Sequence, residues 1–154
     1  MSDRVLFRVL LVLSLIGIGI AGYLTYVHYE GLSPICAVGH GCEKVQSSEW
    51  AKIGGAPVPL VGLIGYIGIL ASLLIRTEYS KLATAGMAYI GFAFSLYLTY
   101  REIFTIRAIC QWCVGSAIVM TLIAIFATIR VLREGAEESY ASDLASTSHQ
   151  HEAA

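Results

Sequence analysis

Apolar residues along this chain fall into four long blocks, with neither the alternation of a half-buried strand nor the three-to-four rhythm of a surface helix. The blocks cover residues 5–27, 58–75, 82–100 and 109–131. Each is close to the roughly 20 residues a helix needs to cross a bilayer. Charged side chains gather at or beyond the block ends: Arg4 and Arg8, then Arg76, Glu78 and Lys81, then Arg101, Glu102 and Arg107, then Arg130, Arg133 and Glu134. Lipid imposes that pattern, because an ion at mid-bilayer costs about 2.5 kcal/mol or more. The expected fold is an all-α membrane protein, a four-transmembrane-helix bundle. Arg4 and Arg8 at the start of the first block have the look of a secretion signal. The block is too long for one, however, and no small-x-small cleavage site precedes "GYLTYVHY", so it is expected to be a retained helix.

Composition agrees with the pattern. Of 154 residues, 56% are hydrophobic and only 14% charged, against roughly 25% charged in soluble domains. A net charge of -1 argues against nucleic acid as a partner and leaves the lipid bilayer as the main one.

Basic residues set the expected orientation. With the N-terminus inside, Arg4, Arg8, Arg76, Lys81, Arg130 and Arg133 face the cytoplasm, and Lys44, Lys52, Arg101 and Arg107 lie outside. The positive-inside rule favours this arrangement by six to four. Both termini would be cytoplasmic in a multi-pass plasma-membrane protein, and Tyr23, Tyr26, Tyr29, Tyr97 and Tyr100 would form an outer aromatic belt. Residues 1–132 form the expected membrane domain, 31–57 its extracytoplasmic loop, and 133–154 a polar, disordered cytoplasmic tail.

That topology puts all four cysteines on one side. Cys36 and Cys42 lie in the loop, and Cys110 and Cys113 open the last block as "CQWC". Spacing alone permits three full pairings. A weak repeat fits the same geometry: "YLTY" occurs at 23–26 and 97–100, and each copy is followed ten residues after its last tyrosine by a cysteine.

A Cys-x-x-Cys at a helix start places its first sulfur near unpaired backbone N–H groups and the positive end of the helix dipole, which favours thiolate. Cys113, one turn deeper, would face the membrane, and Cys110 the loop. Around the other pair, Pro34, Gly39 and Gly41 predict a flexible closed turn rather than helix, and a mobile disulfide can exchange with partners on both sides. Val45, Trp50 and Ile53 are spaced to let one short amphipathic helix lie over the bundle as a lid.

With the four spans, the loop pair, "CEKVQSSEW" after its second cysteine and Cys-x-x-Cys at the last helix, the chain resembles a prokaryotic member of the vitamin K epoxide reductase family. The resemblance implies a thiol-disulfide relay to a quinone of the ubiquinone or menaquinone class, supporting disulfide bond formation. Cys36 would exchange with a separate thioredoxin-like partner of the DsbA type, Cys42 would pass electrons to Cys110, and Cys113 would meet the quinone. Ser48 matches the family's Ser/Thr position and would orient the site, and Trp50 would pack the lid over the quinone. Two departures stand out. Vertebrate members hold the naphthoquinone with an asparagine near the start of the second helix and a tyrosine four residues after the final cysteine. Here those places read "APVPLVG" and Ala117, so epoxide reduction is not expected to carry over.

A reading from another class uses the same thiols. His40, with Cys36, Cys42 and His28, offers thiolate and imidazole ligands of the kind zinc or copper takes, as in a small heavy-metal-binding or transport protein. The spacing matches no familiar closed set, and no metal is expected. The glycines at 17, 19, 22, 62, 65 and 68 predict close helix packing.

Overall fold

The computed structural model describes residues 3–36, 41–53, 55–75 and 79–152, with side chains described at all of these except 50, 53, 138 and 145–152. Four long helices carry the fold: α1 (Asp3–Tyr29), α3 (Val58–Leu74), α4 (Ser80–Arg101) and α5 (Gln111–Glu152). Between the first two lie α2 (Gly41–Gln46), a 3-10 turn (Glu49–Ala51) and two antiparallel strands, β1 (Lys52–Ile53) and β2 (Ala56–Pro57). Helices α1 and α4 each pack against both α3 and α5. The core, with Leu10, Tyr66, Ile69, Ala88 and Ile123, fills the space between them.

Among the described residues, three segments are long and apolar enough to cross a membrane: Asp3–Tyr29, Ser80–Ile106 and Gln111–Leu144. Helix α3 is apolar but shorter at 17 residues, about 25 Å at 1.5 Å per residue. Two prolines mark its start, Pro57 just before the first turn and Pro59 within it, where a missing N–H costs nothing.

An apolar surround forces polar side chains to find partners inside the protein. Ser14 and Thr25 donate to the carbonyls of Leu10 and Ala21 at 2.8 and 2.7 Å, and Thr121 does the same to Ala117 at 2.7 Å. Other hydroxyls join helices, Ser72 to Thr84 across α3 and α4 at 2.7 Å and Tyr89 to Thr128 across α4 and α5 at 2.8 Å. At the end of the bundle away from α2, Arg130 bonds Asp3 at 2.8 Å and Lys81 pairs with Glu134, tying α1 and α4 to α5.

Four stretches differ from the sequence expectation. The lid is not one amphipathic helix through Val45, Trp50 and Ile53: these positions fall in α2, the 3-10 turn and β1. The Ser48 hydroxyl takes the Val45 carbonyl at 2.7 Å, competing with the backbone and ending the helix. Cys42, expected in a turn, sits in the first turn of α2. After Arg101 the chain makes a π-helical turn (Glu102–Ile106) and then a left-handed residue, Arg107, at φ 51°, so the next helix begins at Gln111 rather than 109. Helix α5 also runs through Glu152, where a disordered tail was expected. Beyond Gly135 that segment is rich in Ala, Glu and Ser and holds no proline to stop the helix.

Close packing of α1 on α3 depends on Gly17, where a Cβ would run into the Tyr66 ring. Gly17→Ala is expected to lower stability by about 1–3 kcal/mol, read as earlier thermal unfolding in detergent. Gly19, with open space at its Cβ position, should tolerate alanine.

Candidate functional site

The loop pair is held onto the helix pair from two directions. On one side, Gly41 at the start of α2 lies so close to the Ile109 carbonyl that no Cβ fits between them. On the other, Ile35 is clamped at both backbone groups. Its N–H donates to the Tyr23 hydroxyl at 3.1 Å, and its carbonyl accepts from Trp112 Nε1 at 2.9 Å and Gln111 Nε2 at 3.4 Å. The Tyr23 and Trp112 rings meet with centroids 4.9 Å apart. The two residues inside "CQWC" therefore grip the residue before Cys36.

All four cysteines come together as a result. Cys36 and Cys42 form a disulfide with Cα atoms 6.2 Å apart, and Cys110 and Cys113 are free thiols. Cys42, Val45 and Cys110 make a buried cluster, with Cys36, Ile106, Trp112 and Cys113 packed against it. The "YLTY" repeat is only partly mirrored. Tyr23 of the first copy serves the site, whereas Tyr97 of the second accepts from Arg101 Nε at 3.2 Å.

Cys110 precedes α5 and caps it, its carbonyl accepting the Val114 N–H at 3.0 Å. The Cys113 thiol donates to the Cys110 sulfur, and the backbone N–H groups of Cys113 and Trp112 point at it. Together they hold the Cys110 thiol below its usual range, with the Cys113 bond the main cause, against burial and the nearby Glu102 charge. The backbone donors expected at a helix start are thus in place. Glu102 Oε2 accepts the Cys110 N–H at 3.2 Å.

Beneath the cysteines, Cys113 lines a cavity of about 370 Å³ walled by α1, α3, α4 and α5 and roofed by Val45, Gln46, Ser48 and Ala51. Its walls are mostly apolar, as at Ile20, Leu24, Phe94 and Leu98, and Ser48, Glu102 and Ser116 also face it. Tyr66 donates its hydroxyl to the Ser116 carbonyl at 2.9 Å. Gln46 lines this cavity too, and its Oε1 is the one buried side-chain oxygen or nitrogen among the described residues without a hydrogen-bond partner. The Trp50 side chain and His40 lie outside the described residues.

A sequence model of the vitamin K epoxide reductase family matches residues 8–128. The chain belongs to the vitamin K epoxide reductase family. Membership makes it a multi-pass membrane protein of an oxidoreductase family that works on thiols, and this chain carries a loop disulfide beside a pair of free helix thiols.

Sequence reasoning brought forward Cys36, Cys42, Cys110, Cys113 and Ser48, all now in or beside one site. It missed Gln46, Tyr66 and Ser116, which only the folded helices bring together. It also missed Glu102, counted among the charges that end a span. The available signal was an acidic residue eight positions before Cys110 in a stretch otherwise apolar or basic.

The lowered Cys110 thiol gives a signed pH prediction. A thiol held below its usual range ionises at lower pH, so alkylation of Cys110 by iodoacetamide should rise with pH and level off earlier than for an ordinary cysteine. Cys113→Ala, which removes the main donor, should move that midpoint up. An unchanged midpoint would show that the Cys113 bond does not set it.

Proposed function

We propose that the chain is a membrane thiol oxidase. It takes electrons from a thioredoxin-like protein at Cys36, passes them from Cys42 to Cys110, and delivers them through Cys113 to a quinone. The observation that carries this reading is the gathering of both cysteine pairs into one buried cluster, with Cys113 opening onto an apolar cavity. That cavity is of the size and character of small-molecule sites, which run from roughly 300 to 1,000 Å³ and are mainly apolar.

In this reading all four long helices cross the bilayer, α3 completing its span within the bundle. Residues 1–132 are the membrane unit, both termini are cytoplasmic and the cysteines lie outside. The clamp on Ile35 leaves Cys36 at the edge of the site, half-buried, whereas Cys42 is 1% and Cys110 0% exposed. That difference suits Cys36 to meet a protein and the other two to exchange with each other. Thiolate character at Cys110 makes it a good leaving group when Cys36 resolves the Cys42–Cys110 mixed disulfide, and readies it to reclose on Cys113.

The lining suits a quinone. Gln46 presents an unpartnered amide oxygen to the cavity, an acceptor for the hydroxyl of the reduced quinone, where the family's asparagine and tyrosine are absent, and Ser48 holds the roof in place through Val45. When bound, the quinone accepts two electrons and two protons.

The test uses purified chain, dithiothreitol as reductant and a short-tailed ubiquinone as acceptor, followed by quinone absorbance. Cys113→Ala is expected to abolish turnover. Cys36→Ala should keep quinone reduction by the small dithiol while losing oxidation of a thioredoxin-like protein. Turnover that survives in Cys113→Ala would overturn the mechanism.

A further inference from the structure

Four polar or charged side chains among the described residues are buried: Ser14, Thr25, Thr84 and Glu102. The three hydroxyls bond to carbonyls of their own helices. Glu102 is different. It sits at the π-helical turn after α4, is 5% exposed, lines the cavity beside Cys113, and directs its carboxylate at the redox pair. Oε2 accepts the Cys110 N–H at 3.2 Å, and the carboxylate also pairs with the Cys113 thiol. The Cys113 proton therefore lies between two acceptors, the Cys110 sulfur and Glu102.

A buried carboxylate is costly in an apolar setting. If the role were only to accept the Cys110 N–H, a glutamine would do it without that cost. What a glutamate adds is the ability to take and release a proton, at the place where a thiol proton must leave and a quinone oxygen must gain one.

We propose that Glu102 is a catalytic proton carrier between the Cys113 thiol and the quinone, an assignment that rests on the quinone-linked reading above. The step balances as follows. Cys110 enters as thiolate and Cys113 as thiol, and the Cys113 S–H bond breaks as Glu102 takes its proton. The two sulfurs give up two electrons and join in an S–S bond, and the quinone takes both electrons. Glu102 hands its proton to one quinone oxygen, and water at the loop end supplies the other. Glu102 ends the cycle ionised, as it began, ready for the next reduction of the pair.

Two single-turnover rates on the full chain in detergent decide this. One is oxidation of the reduced protein by short-tailed ubiquinone; the other is reduction of the oxidised protein by dithiothreitol. Glu102→Gln should slow the first by about 100-fold or more, the scale of a lost general acid-base, and slow the second far less, because dithiothreitol brings its own thiol protons. Glu102→Asp, which keeps an acid, should recover part of the loss. A Glu102→Gln protein with a normal quinone rate would overturn the assignment alone. So would equal loss of both rates, or an Asp variant no faster than Gln. Wild-type protein that never reduces the quinone would overturn the quinone-linked reading and this assignment with it.

Discussion

The approach of the loop to the mouth of α5 is the contact on which the rest of the site depends. It rests on backbone, with Gly41 against the Ile109 carbonyl and Ile35 gripped at both its N–H and its carbonyl. Side-chain packing alone would leave four small sulfur-bearing residues loosely placed at the end of a bundle. Fixing the residue before Cys36 and the residue before Cys42 fixes the disulfide between them. Because the grip comes from Trp112 and Gln111, the residues within the helix pair hold the loop disulfide beside it.

The membrane setting explains why the polar atoms of the site stand out. Elsewhere in the bundle hydroxyls are spent on carbonyls one turn back or across a helix pair, as apolar surroundings require. The exceptions converge on the cavity: an amide oxygen at Gln46 without a partner and a buried carboxylate at Glu102. A structure that satisfies its polar groups so consistently tolerates unsatisfied or charged ones where a ligand or a proton is to be handled.

Much of the fold was legible because lipid makes the sequence legible: long blocks without charge admit few alternatives, and the matched cysteine pairs pointed to the site. The details that sequence hid arise where local preference is overridden. An arginine in the left-handed region at 107 runs against intrinsic preference, and the π-helical turn before it has no compositional mark. Yet that turn carries Glu102 inward and leaves Cys110 as the cap of α5. Hydrophobic spacing runs through Ser47 and Ser48 as if one helix formed the lid, but Ser48 folds back on Val45 and closes α2. Tyr66 and Ser116 lie 50 positions apart, a pairing across the bundle that only the assembled helices create.

The central claim is that the loop pair hands electrons directly to the helix pair, and trapping the link between Cys42 and Cys110 tests it most directly. In a Cys36→Ser, Cys113→Ser chain, mild oxidation should join these two within one molecule, with mass spectrometry of proteolytic fragments identifying the bond. If both stay free, or if they link only between separate molecules, the two pairs are not within exchange distance and the relay is contradicted.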